Sequence, residues 1–161
     1  WGGAMSAQQI GLLDTVRTGD YRALDRGRAA TPEERKAIMK QCLGADVFIT
    51  GANALSLDGQ MVNIDGNGNR VAAIVYGSES VIVIAGMNKV MDSLDAAVER
   101  ARTVAAPQNK QRFDSKTPCE VTGAGADCKS DGCICNQNLI TRNCDPPGRI
   151  KFILVGEELG L

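Results

Sequence analysis

The run Ser80-Val81-Ile82-Val83-Ile84-Ala85 constrains the fold most. Four consecutive β-branched residues with no polar alternation mark a strand covered on both faces, the signature of a central strand in a parallel sheet. Ala45–Thr50 and Arg149–Val155 read as two further strands and Gln60–Asp65 as another, with a hairpin signal at Asp58-Gly59. Between them lie helical segments. Ser6 to Gln9 fits a capping box that opens a helix to Gly19, while residues 19–30 read as a loop with one turn of helix. Thr31-Pro32-Glu33-Glu34 opens another helix, to about Leu43. Arg70–Tyr76 is a short helix ended by Gly77. Leu94, Ala97, Val98, Ala101 and Val104 form one apolar stripe on a helix over 90–105, ended by Pro107. Strands alternating with helices predict a single α/β domain over 1–161, a largely parallel sheet flanked by helices.

Ligands in such sheets bind at the carboxyl ends of strands. Three glycine-bearing turns should gather there. The first follows Thr50 and contains Gly51 and Asn53. The second is Asp65-Gly66-Asn67-Gly68-Asn69-Arg70, and the third leads from Ala85 to Asn88 and Lys89. A Gly/Asn loop opening into a helix offers unpaired N–H groups at the positive helix end, suited to an anion. Gly2 and Gly3 form a similar turn before the first helix. Arg70 or Lys89 would pair with a carboxylate or phosphate, and Asp65 is the best-placed acid or base. The alternative is a tight connection serving the fold alone, with Arg70 and Lys89 as solvated charges and Asp65 bonding its own backbone.

Several classes are disfavoured. Eighteen basic and 19 acidic residues leave a net charge of −1, no footprint for nucleic acid or an anionic membrane. No stretch approaches the roughly 20 apolar residues that span a bilayer, and none reads as a signal peptide, so a cytoplasmic location is expected. Histidine is absent, which removes the commonest general base and any Ser-His-Asp or Cys-His mechanism supplied by this chain alone.

Five of six cysteines, Cys119, Cys128, Cys133, Cys135 and Cys144, lie in a Gly-, Asp- and Asn-rich excursion over 117–145. Three readings stand: a disulfide framework, a zinc or iron–sulfur site on Cys119, Cys128, Cys133 and Cys135, and free thiols, some forming a redox-sensitive pair. Cys42 reads as a core residue.

Residues Asn63–Ala73, Val81–Val90, Ala105–Asn109, Lys116–Cys119 and Val155–Gly160, with the turn Trp1–Met5, resemble the lactate-utilisation (LUD) domain family. The resemblance runs over essentially the whole chain and implies its single-domain, cysteine-containing branch, whose N-terminal helix and strand would lie before Trp1. It implies a fold similar to the sugar-phosphate isomerase and coenzyme A transferase superfamily. It also implies a small anionic metabolite (carboxylate, phosphate or acyl thioester) and an iron–sulfur system oxidising lactate to pyruvate, with a redox protein or a second copy as partner. A non-catalytic electron-transfer, assembly or regulatory subunit is the alternative.

Overall fold

The computed structural model describes residues 1–113 and 116–161. The β-branched run becomes β4 (Ser80–Gly86), flanked in parallel by β1 (Val47–Thr50) and β7 (Ile150–Val155) in the order β1-β4-β7. A second, mixed sheet has the order β5-β2-β3-β6, built from β2 (Ala54–Ser56), β3 (Met61–Asp65), β5 (Val90–Met91) and β6 (Gln137–Thr141). The α/β class therefore holds, with the strands divided between a parallel and a mixed sheet. The helices are α1 (Met5–Gln9), α2 (Leu12–Thr18), α3 (Pro32–Gln41), α4 (Asn69–Tyr76), α5 (Leu94–Arg100), α6 (Ala106–Lys110) and α7 (Pro118–Thr122).

The chain crosses between sheets at Gly51-Ala52-Asn53. The turn at Asp58-Gly59 closes β2 on β3, whereas β1 stays in the other sheet; the hairpin is thus Ala54–Ser56 with Met61–Asp65. Phe48, Val81, Val83 and Ile74 pack the core between the parallel sheet and α4, and Ala54, Val62, Ala97 and Ala101 pack α5 on the mixed sheet. Gly2 bridges to Thr50 beside β1, so the chain's first residues add a short parallel rung.

Three helical expectations are corrected. Ser6 is not an N-cap: α1 begins at Met5, and the buried Ser6 hydroxyl instead donates to the Leu159 carbonyl at 3.3 Å. Gly11, at φ +75°, then divides the first helix into α1 and α2. Pro107 does not end the long helix. Residues Ala101–Ala105 form a π-helical turn, and the widened ladder accepts a residue without an N–H, so α6 continues to Lys110. The same turn leaves Val104 more than a third exposed. Thr31 does cap α3, accepting from the Glu34 N–H at 3.1 Å.

Beyond β7 the chain folds back over the end of β4, where Met87 N–H donates to the Glu157 carbonyl. A Cβ at Gly86 would collide with the Leu159 nitrogen and the Glu157 oxygen, both backbone. Gly86→Ala is expected to cost about 3 kcal/mol through this overpacking, read as a lowered urea midpoint at unchanged slope. No helix among the described residues is long and apolar enough to cross a membrane.

Candidate anion-binding cleft

The turns after β1, β3 and β4 gather as expected. They border a cleft of about 510 Å³ whose lining includes Gly3, Asn53, Asp65, Gly66, Asn67, Asn69, Arg70 and Lys89. Four other expected residues lie behind it. Gly2 is buried against the Phe48 ring, and Gly51 offers its carbonyl to Arg70. Gly68 is the left-handed N-cap residue of α4, facing the Gln137 side chain. Asn88 turns away, its Oδ1 accepting from Leu159 N–H at 3.1 Å.

The helix terminus holds an anion already, and it belongs to the chain. Asp65 Oδ1 accepts from the N–H groups of Asn67 and Gly68 at 3.1 and 3.3 Å, and Oδ2 from those of Arg70 and Val71 at 3.0 and 3.2 Å. This corrects the expectation that those four amides receive a guest from solvent: a side chain at the end of β3 satisfies them first. The carboxylate oxygens are engaged as the cap of α4.

Arg70 is likewise spent inward. Nη1 donates to Gly51 O and Asn63 Oδ1 at 3.2 and 2.7 Å, and Nη2 to Asn53 Oδ1 and Ile64 O at 2.9 and 2.6 Å. Nε lies 3.9 Å from Asp65 Oδ2. Burial pulls this guanidinium below its usual pKa, and Asp65 opposes the shift. Gly3, at φ +59°, lies so close that a Cβ would sit 2.9 Å from Arg70 Cδ. Arg70 therefore staples β1, β3 and α4 beneath the cleft.

The charge left for a guest comes from elsewhere. Among the described residues the lining holds six cationic side chains, Arg26, Arg35, Arg70, Lys89, Lys110 and Arg112, against one carboxylate side chain, Asp65. Among the described residues only Arg70 of the six makes an ion pair. Arg35 donates to the Arg26 carbonyl and Arg112 to Asn109 Oδ1, both neutral acceptors. The Arg26 pKa is pulled down, chiefly by burial and then by the Arg35 charge. Lys89 is pushed down to about 8 by burial, then by Arg100 and Arg70. Such crowding of like charge, part of it buried, favours a bound anion. Nothing in the sequence singles out Arg26, Arg35, Lys110 or Arg112, because they come from a 3-10 turn, α3, and the end of α6 with the turn after it, three separate segments.

The four expected metal ligands border one hollow without converging on a point. Cys119, Cys128, Cys133 and Cys135 line one hollow of about 710 Å³, which shares Ile64, Lys110, Cys133 and Ile134 with the cleft. Ser130 donates to Cys128 Sγ at 3.3 Å and lowers that thiol's pKa; burial, followed by the charge of Cys133, pushes Cys135 up to about 11. The donor set has the softness that zinc or an iron–sulfur cluster takes. As the thiols stand, no three Cys, Asp or Glu groups among the described residues converge to hold a metal ion, and all six cysteines are free. Cys42 is a core residue, 5% exposed. The excursion also carries regular structure that its composition concealed: β6 pairs antiparallel with β3, with Asp65 opposite Gln137.

Fold and cleft together define an α/β protein with a cationic hollow at its strand ends. A model of the LUD domain matches residues 1–155, and the chain belongs to that family. Membership associates it with lactate utilisation. No curated protein and no solved structure matches the chain.

Proposed function

We propose that the cleft binds a small anionic metabolite, carrying a carboxylate, a phosphate or an acyl-thioester group, within a cytoplasmic system that oxidises lactate to pyruvate. The observation that carries this is the excess, among the described residues, of six cationic side chains over one carboxylate side chain in a hollow of about 510 Å³. Asp65, Arg70, Gly66, Asn67 and Asn69 shape the floor, and Arg26, Arg35, Lys89, Lys110 and Arg112 supply the field.

Calorimetric titration with lactate, pyruvate, a sugar phosphate and an acyl coenzyme A tests the reading. Binding of at least one is expected, weakening as salt rises. Arg26→Ala and Arg112→Ala should each lower its affinity about tenfold, the loss of one charge-assisted hydrogen bond. Affinity unchanged in both variants, or no binding of any of the four, overturns it.

A second reading is favoured by the four thiols around one hollow. Drawn inward, Cys119, Cys128, Cys133 and Cys135 would hold zinc or an iron–sulfur cluster, the latter supplying one-electron transfer to a redox partner or a second copy. Metal analysis and an absorption spectrum after purification without oxygen test this. Stoichiometric zinc or iron supports it, and a folded, metal-free protein overturns it.

A further inference from the structure

Lys89 is the buried amine of the cleft. It ends the 3-10 turn Met87–Lys89 at the carboxyl end of the central strand and is 3% exposed, yet it borders the cleft. Its Nζ donates to the Ala52 carbonyl at 3.0 Å and the Ser6 hydroxyl at 3.4 Å, both neutral acceptors. Among the described residues no carboxylate pairs with it. The charged groups that press on it are Arg70 of α4 and Arg100 of α5, both cationic. The Gly160 backbone packs so closely on the amine that a Cβ there would lie 2.5 Å from Nζ, so this wall of the amine's site admits no side chain.

A lysine held only to make a salt bridge would face a carboxylate. A lysine buried beside guanidinium groups instead gives up its proton more readily than an exposed one, so a side chain that helps attract an anion can also reach its neutral, nucleophilic form. From this geometry we infer that Lys89 captures the carbonyl carbon of a 2-oxo acid as an imine, with the cleft's cations holding the acid's carboxylate. The inference rests on the anion-binding reading above and names its substrate class. An anion alone satisfies the cleft and a carbonyl alone satisfies the amine; a 2-oxo acid is the smallest molecule that offers both.

The step balances without a change of oxidation state. The Nζ lone pair forms a C–N bond to the carbonyl carbon. The two protons shed by nitrogen pass to the carbonyl oxygen, the C–O bond breaks, and the oxygen leaves as water. The Ser6 hydroxyl, within 3.4 Å of Nζ and donating to Leu159 O at 3.3 Å, is in reach to relay a proton.

Incubating the full chain with pyruvate and cyanoborohydride, followed by peptide mapping, tests the inference. One carboxyethyl group per chain is expected on Lys89, formed at least roughly tenfold faster than on the exposed Lys36 and Lys40. Inorganic phosphate should slow it by competition. Lys89→Arg and Lys89→Met should each abolish labelling at this position while circular dichroism stays that of a folded chain. Calorimetry on the unmodified protein separates the two ways of failing. If pyruvate binds but Lys89 is not labelled preferentially, or if Lys110 takes the label, the lysine inference is overturned alone. If neither pyruvate nor phosphate binds, the lysine inference is overturned as well, the other anions deciding the fate of the cleft.

Discussion

Asp65→Ala is expected to destabilise the protein by about 4 kcal/mol. Four backbone N–H groups lose their acceptor, at about 1 kcal/mol each. Arg70 Nε also loses its carboxylate partner, with the side chains of both 10% exposed. Asp65→Asn keeps one acceptor oxygen and should cost about half as much. Urea denaturation monitored by circular dichroism reads both. A cost below about 1 kcal/mol for the alanine variant would mean that water satisfies those amides and that Asp65 is dispensable to the turn.

Arg70→Met should cost a similar amount, about 4 kcal/mol, from the opposite side. Gly51 O, Asn53 Oδ1, Asn63 Oδ1 and Ile64 O would each lose a donor, and methionine fills the volume without offering one. Asn63 aggravates the loss: it is fully buried, its Nδ2 already lacks a partner among the described residues, and Arg70 is what engages its oxygen. Because the two side chains share one network, the Asp65→Asn, Arg70→Met double variant should cost about 1–2 kcal/mol less than the sum of the singles. Strict additivity would show that the staple and the cap act independently.

How much of this was legible in the sequence depends on how each element is held. β4, β7, α3 and α4 could be read because their own residues specify them: a β-branched run, a capping threonine before proline, a glycine after Tyr76. The short strands of the mixed sheet could not. β2 has three residues and β5 two, and β6 is drawn from a polar stretch, Gln137-Asn138-Leu139-Ile140-Thr141. Their conformation comes from neighbours in space, above all β3, and leaves no periodic trace. The π-helical turn is also a tertiary outcome, so Pro107 misled as a stop signal.

The site divides in the same way. The Gly/Asn turns carry a local signature, and the structure brings most of them to one cleft. The sequence left two readings of the α4 terminus open, because an Asx-type carboxylate and an outside anion satisfy the same donors. The cleft's cations were missed for a different reason: Arg26, Arg35, Lys110 and Arg112 are unremarkable residues in their own segments, and only the chain's path makes them neighbours.

The carboxylate lodged at the start of α4 has a consequence for whatever enters the hollow above it. The turn over 65–71 is neutralised and locked by the protein itself, so a visiting molecule need not organise it. Conformational freedom that a floppy glycine loop would surrender on association was given up once, during folding. A pre-set basin of this kind should show little loop ordering on saturation, and the enthalpy of capture should come mainly from the arginine and lysine rim.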